Sequence, residues 1–210
     1  MSMSMEILKW VLSGLIGYGL GTITTGTIVG RLMGVDIRQT GSKNAGTTNV
    51  LRTLGWKASL FTFAGDAVKG VLAVLIGRWI GGLYGGYLSG ILAVIGHNWP
   101  VFFHFKGGKG IATSFGVILA LNPLIALIMV LWQIAVVVVT KYMSVASISS
   151  AVVFSILTTV SAWGDWLQIV FALILSMLAI FCHRENIVRL IHHRENKLDF
   201  AKINALSRKK

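Results

Sequence analysis

Apolar residues in this chain come in long uninterrupted runs, not in the alternating or striped patterns of a soluble domain. Seven runs stand out, at about residues 7–29, 57–77, 80–98, 110–121, 123–140, 145–163 and 166–182. A bilayer-spanning helix needs about 20 apolar residues, somewhat fewer when it packs among partners. The pattern predicts an all-α integral membrane protein with seven transmembrane helices, the fourth of them short. That fourth run ends at Asn122-Pro123, a turn signal between two apolar stretches. Joining the fourth and fifth runs into one kinked helix gives six spans, but a continuous helix of about 30 residues is too long for the bilayer. The chain from 1 to 210 reads as a single polytopic domain closed by a basic tail over 183–210. Met1–Met5 read as an unstructured start. The acidic-then-basic residues Glu6 and Lys9 do not make the basic leader of a cleavable signal peptide.

Composition agrees with this pattern. Hydrophobic residues make up 55% of the 210 and charged residues only 12%, about half the share of an ordinary soluble domain. That excludes a disordered chain, a coiled coil and a typical soluble enzyme. The 24 glycines suit close helix packing in lipid and backbone-lined sites. With Cys182 alone, there is no internal disulfide and no multi-cysteine metal site.

The net charge of +12 gains meaning from its placement. Sixteen of the 19 basic residues fall in four clusters, at 31–57, 106–109, Lys141 and 184–210. With seven spans and the N-terminus outside, all four clusters lie on the cytoplasmic side, as the positive-inside rule requires. Six spans would separate Lys141 from the tail. Trp79, Trp99, Trp163 and Trp166 fall near run ends, where an interfacial aromatic belt belongs.

Four segments carry chemistry. Residues 38–55 read RQTGSKNAGTTNVLRTLG, offering backbone N–H groups and hydroxyls to an anion, with Arg52 able to pair bidentately with a phosphate. The alternative is a solvated loop, and the absence of a Lys-Ser/Thr ending argues against a nucleotide P-loop. Residues 65–70 read GDAVKG inside an apolar run, which puts Asp66 and Lys69 on one helix face. Such a pair is either a self-neutralising structural element or a substrate contact. Residues 96–113 read GHNWPVFFHFKGGKGIAT, where Lys106 and Lys109 among Gly107, Gly108 and Gly110 form a basic loop at a helix start. His97, closing the preceding run, is a substrate contact or an interfacial helix cap. The tail segment 183–198, HRENIVRLIHHRENKL, reads as a membrane-surface amphipathic helix carrying Arg184, Arg194 and Lys197. Adjacent His192 and His193 point apart on a helix, and their spacing supports no zinc site. Together these segments describe a pocket for phosphorylated substrates at the cytoplasmic interface.

At these residues the chain resembles the bacterial acyl-phosphate:glycerol-3-phosphate acyltransferase family, PlsY. The pattern G-S-x-N-x-G-x-T-N-x-x-R matches Gly41, Ser42, Asn44, Gly46, Thr48, Asn49 and Arg52. G-D-x-x-K-G matches Gly65, Asp66, Lys69 and Gly70, and the run from Gly96 to Thr113 matches the third element. H-x-x-N-I-x-R-L matches His183, Asn186, Ile187, Arg189 and Leu190. The resemblance covers about residues 10–200. Lys43 stands where the family often has Gly, Cys182 where Arg often precedes the histidine, and His193 where Gly is common.

The resemblance implies a multi-pass enzyme of the inner or plasma membrane, its site on the cytoplasmic side. It would move a fatty acyl group from acyl phosphate to the 1-hydroxyl of glycerol 3-phosphate, giving lysophosphatidic acid and phosphate. This is the first step of phospholipid synthesis, and a partner enzyme would supply the acyl phosphate. The resemblance gives catalytic roles to Ser42, Arg52, Lys109, His183 and Asn186. Substrate contacts extend to Asn44, Gly46, Thr48, Asn49, Asp66, Lys69, His97, Lys106, Gly107, Gly108, Gly110 and Ser147. No cofactor and no metal are expected, so activity should survive EDTA. No Ser-His-Asp or Cys-His set is visible, and no His is followed five positions on by Asp, as the H-x4-D pattern requires. The expected mechanism is therefore substrate-assisted, with the acyl phosphate's own oxygen taking the hydroxyl proton. His97 or His183 as general base is the second possibility. The main rival function is a transporter of phosphorylated metabolites, but no repeated half is visible and the polar motifs cluster on one face. Nucleic acid is not an expected partner.

Overall fold

The computed structural model describes residues 2–208. Met1 and the last two tail lysines, Lys209 and Lys210, lie outside the described residues. Every regular element is helical among them: α1 (Met3–Gly21), α2 (Thr25–Leu32), α3 (Thr47–Leu54), α4 (Trp56–Asn98), α5 (Ile111–Leu121), α6 (Pro123–Thr140), α7 (Met143–Ser161), α8 (Trp166–Cys182), α9 (Arg184–Ile191) and α10 (Phe200–Arg208). The long apolar helices make this a multi-pass membrane protein. The start is already helical from Met3, so the unstructured opening expected for Met1–Met5 does not hold for Met3–Met5.

Two compact units divide the chain, one up to Leu121 with α10, the other Asn122–Asp199. In the first, the apolar runs at 57–77 and 80–98 are the two arms of α4, folded back on each other. Gly81 leaves helical dihedrals and Gly82 takes φ 65° at the bend. A Cβ on Gly77 would strike the Gly85 backbone and one on Gly85 the Gly77 backbone, so the arms touch main chain to main chain. Ser89 Oγ donates to Ala73 O across them at 2.7 Å. In lipid there is no hydrophobic drive between helices, and small residues win by allowing close van der Waals approach. The same device joins α1 to the second arm, with Gly14 against Leu92, Gly17 against Ser89 and Gly21 against Ala93. Gly70 and Gly116 bring the first arm onto α5, each backbone seated on the other helix.

The first apolar run is not one helix. It breaks between α1 and α2 at Thr22–Thr24, where Thr22 Oγ1 turns back to Gly19 O at 2.7 Å. The break is buried, with Thr22 and Thr24 shielded from solvent, and it frees carbonyls that water cannot reach. Lys69 Nζ donates to two of them, Gly21 O at 3.1 Å and Ile23 O at 2.6 Å. Helix α5 has 11 residues, which at 1.5 Å rise is about half a bilayer core.

In the second unit α7 packs against both α6 and α8. Ser150 Oγ donates to Gln133 Oε1 at 2.8 Å, and Ser155 Oγ to Ser176 Oγ at 2.7 Å. Asn122 caps α6 by accepting from Ile125 N, with Pro123 at the first helical position. The tail is not the single amphipathic helix expected over 183–198. Helix α9 bends 55° from α8 and ends at Ile191, His193 takes φ 54°, and Arg194 N donates to Arg189 O at 2.7 Å. The chain then doubles back until Leu198 N reaches Lys141 O at 2.8 Å.

Candidate active site

The loop before α3 is built around one side chain. Asn49 is buried, its Nδ2 donating within 2.9 Å to the carbonyls of Ile37, Thr40 and Asn44. Its Oδ1 accepts from Ser42 N at 2.9 Å. Gly41 has φ 62°, and a Cβ there would overlap Asn49 Oδ1. Asn44 Oδ1 accepts from Gly46 N at 2.9 Å, closing the turn into α3. Both asparagines, expected among the substrate contacts, thus have their side chains committed to shaping the loop. Beneath it Ile37, Val50, Leu54 and Ala58 form an apolar cluster.

That scaffold leaves Ser42 exposed and Thr48 half-buried. Thr48 and Arg52 lie four residues apart on α3 and so share a face, with Asn49 turned inward. Gly46 caps α3 without a side chain, so the first-turn N–H groups have no side-chain acceptor. A hydroxyl, a helix N-terminus and a half-buried guanidinium on one short element suit an oxyanion. Lys43 takes φ 59° and His193 φ 54°. The two positions where Gly is the common residue are thus left-handed positions, which explains the preference.

The second basic loop lies across the end of α4. After the turn Val101–Phe103, His104 and Phe105 both take left-handed dihedrals. Gly107 N donates to Asn98 O at 3.2 Å and Gly108 N to His97 O at 3.0 Å. A Cβ on Gly107 would overlap His97 O, one on Gly108 would overlap the His97 ring, and one on Gly110 would meet Asn98 Oδ1. Only glycine lets the backbone lie this close. Lys106 is exposed and Lys109 half-buried. Arg31 and Arg38 stack over Phe103, at 5.9 and 5.0 Å from its centroid.

Under this loop sits a buried trio. Asp66, Lys69 and His97 are 1%, 4% and 3% exposed. Lys69 Nζ lies 2.9 Å from Asp66 Oδ1 and 2.8 Å from His97 Nδ1, while His97 Nδ1 to Asp66 Oδ1 is 3.5 Å. His97 is therefore a buried member of the cluster with Asp66 and Lys69 beneath the loop.

In the second unit His183 is buried, its Nδ1 2.7 Å from Ala179 O. A carbonyl only accepts, so Nδ1 carries a proton. Ser147 donates to Met143 O at 2.9 Å and accepts from Gln133 Nε2 at 3.4 Å. Asn186 Nδ2 donates to Glu195 Oε1 at 2.8 Å, and Arg189 Nε to Glu195 Oε2 at 2.8 Å. Glu195 is absent from the sequence reading. Burial acts to raise its pKa, but the hydrogen bonds from Arg189 and Asn186 and the charge of Arg189 outweigh it and hold the carboxyl below its ordinary value.

The family model described as glycerol-3-phosphate acyltransferase matches residues 11–193. The chain belongs to the glycerol-3-phosphate acyltransferase family. A glycerol-3-phosphate acyltransferase of Thermoanaerobacter sp. (strain X514) is 48% identical over 189 residues, covering 90% of this chain and 95% of the relative. One from Clostridioides difficile (strain 630) is 45% identical, covering 92% and 98%. Among solved structures, the crystal structure of PlsY (YgiH), an integral membrane glycerol 3-phosphate acyltransferase, in its glycerol 3-phosphate form, superposes with TM-score 0.86 at 36% identity. It covers 92% of this chain and 98% of that one. The lysophosphatidic acid form gives TM-score 0.84 at 35% identity. Membership of this acyltransferase family displaces the transporter alternative.

Proposed function

We propose that the chain transfers a fatty acyl group from acyl phosphate to the 1-hydroxyl of glycerol 3-phosphate, releasing lysophosphatidic acid and inorganic phosphate. The observation that carries this reading is the pair of anion-suited loops of the first unit, one around Ser42, Thr48 and Arg52, the other the glycine–lysine loop over His97. Both substrates bear phosphate, and acyl phosphate is a mixed anhydride already activated for attack. The enzyme then has only to align the hydroxyl with the carbonyl and neutralise the departing phosphate. The bond from acyl carbon to phosphate oxygen breaks, the ester bond forms, and the hydroxyl proton passes to the phosphate. Ser42, Thr48 and Arg52 grip phosphate, and Lys109 steadies the leaving group and the developing oxyanion. His183 and Asn186 enter through the resemblance alone, with glycerol 3-phosphate as their expected contact.

The same reading extends to topology. The two arms of α4, with α1, α5, α6, α7 and α8, count to seven membrane segments, N-terminus outside and C-terminus cytoplasmic. The chain acts as one polytopic acyltransferase domain in the inner or plasma membrane, with its site on the cytoplasmic side. A partner enzyme supplies the acyl phosphate. The test is phosphate release by purified protein in lipid, given palmitoyl phosphate with and without glycerol 3-phosphate. Release that needs glycerol 3-phosphate, with matching lysophosphatidic acid and no response to acyl-CoA, is the expected result. Use of acyl-CoA in place of acyl phosphate would overturn the donor assignment.

A further inference from the structure

The trio beneath the glycine loop takes no part in the proton transfer above, yet its geometry fixes where His97 keeps its own proton. An ammonium has three N–H donors and no lone pair. Lys69 Nζ makes three hydrogen bonds, to Gly21 O at 3.1 Å, Ile23 O at 2.6 Å and His97 Nδ1 at 2.8 Å. Two of these partners are carbonyls, which only accept. The third must accept as well, so Nδ1 is the lone-pair nitrogen of the imidazole. Asp66 Oδ1, 2.9 Å from Nζ, supplies the balancing charge as an ion pair. A proton on Nδ1 would set two donors against each other at 2.8 Å, and a proton on both ring nitrogens would also add a second positive charge to a buried cluster with one carboxylate. The 3.5 Å from Nδ1 to Asp66 Oδ1 is too long for a compensating hydrogen bond.

The ring proton is thus on Nε2. That atom lies directly under the Gly107–Lys109 loop, where a Cβ on Gly108 would overlap it. The described hydrogen bond of the ring is made through Nδ1. A buried N–H aimed at a glycine loop flanked by Lys106 and Lys109 suits an anionic oxygen resting there.

We propose that Lys69 is a positioning residue that locks His97 as the Nε2–H tautomer, making His97 a hydrogen-bond donor to a phosphate oxygen at the glycine loop and not a general base. This rests on the acyl transfer proposed above and narrows the role of one residue in it. His183 has the opposite arrangement, its proton on Nδ1 against Ala179 O.

The deciding measurement is ¹⁵N NMR of histidine-labelled wild-type protein in lipid nanodiscs, with His97 assigned by its loss in His97→Gln. The expected spectrum has a proton on Nε2 and a bare Nδ1 at neutral and mildly alkaline pH. A proton on Nδ1, or an imidazolium, overturns the proposal. Kinetics give an independent arm. His97→Ala should lose roughly 10- to 150-fold in activity. His97→Gln, whose amide donor reaches the Nε2 position, should recover much of that loss, and His97→Asn should not. Equal loss in all three is the general-base result and overturns the donor role. A raised KM for palmitoyl phosphate or for glycerol 3-phosphate in His97→Ala names which phosphate is held. Wild-type protein without glycerol 3-phosphate-dependent release would sink the acyl transfer reading, while the NMR spectrum still decides the tautomer.

Discussion

Lys69 invites a stability experiment separate from catalysis. Replacing it with Met keeps the aliphatic stem and removes the ammonium. Three acceptors then lose their donor: Gly21 O and Ile23 O at the α1–α2 break, and His97 Nδ1. Asp66, 1% exposed, is left as a buried carboxylate without its 2.9 Å counter-ion. Breaking a buried ion pair from one side costs about 3–5 kcal/mol. For a chain of this size that is a fall in Tm on the order of 10 °C. The double variant Asp66→Leu/Lys69→Met removes both charges. Its remaining penalty is the same three orphaned acceptors, about 1–3 kcal/mol each, which Lys69→Met also carries on top of its unpaired carboxylate. The double variant should therefore be more stable than Lys69→Met alone, a coupling of opposite sign to simple addition. Thermal unfolding of the three proteins in one detergent, followed by Trp fluorescence and by the loss of monodisperse protein, reads this directly. A Lys69→Met protein within about 1 kcal/mol of wild type would refute the reasoning, as would a double variant less stable than the Lys69→Met single.

Other consequences are simpler. Gly108→Ala must displace either the glycine loop or the His97 ring, and should abolish phosphate release while far-ultraviolet circular dichroism is retained. Gly19→Ala, with nothing within 4 Å of the added carbon, should be neutral or stabilising by up to about 1 kcal/mol and serves as the control. Glu195→Gln should destabilise the fold at neutral pH. The carboxyl is depressed in the folded state, so its contribution is full above the ordinary value of 4.5 and fades as pH falls through the folded value. The stability gap between wild type and Glu195→Gln should therefore close in acid. Lys43→Gly, at φ 59°, relieves a left-handed residue worth about 1–2 kcal/mol against an entropic cost of about 0.5–1. A small rise in Tm is expected, and a fall would show that the lysine side chain holds the loop. Arg52→Lys loses the bidentate fork and should cost roughly 10- to 150-fold in kcat/KM.

The uneven legibility of the chain has physical reasons. Long apolar runs have one stable outcome in a bilayer, because every backbone group must be satisfied within a helix. The runs therefore predicted the helical, multi-pass character and most helix positions. Glycines beside lysines marked the two anion-suited loops, since few other roles need a basic segment with so little side chain. What the runs concealed was the break at Thr22–Thr24, apolar enough to read as continuous helix. Its freed carbonyls are met by Lys69, 46 residues away from Ile23 in sequence. Asn44 and Asn49 read as substrate contacts through the family resemblance. Only the folded loop turns their amides onto its own backbone.

The tail shows the limit most clearly. The tetrapeptide His-Arg-Glu-Asn occurs at 183–186 and again at 193–196. The side chain of Glu185 is 76% exposed on α9, while that of Glu195 is 3% exposed and clasps Asn186 and Arg189. His183 is buried against Ala179 O, and His193 is an exposed residue at φ 54°. Identical local chemistry has opposite fates here. The left-handed turn at His193 folds the second copy back over the first, and a carboxylate is buried only where partners are already waiting. The sequence by itself determined the membrane setting and the family of reaction. The tertiary structure alone decided which glutamate, which histidine and which asparagine carry the architecture.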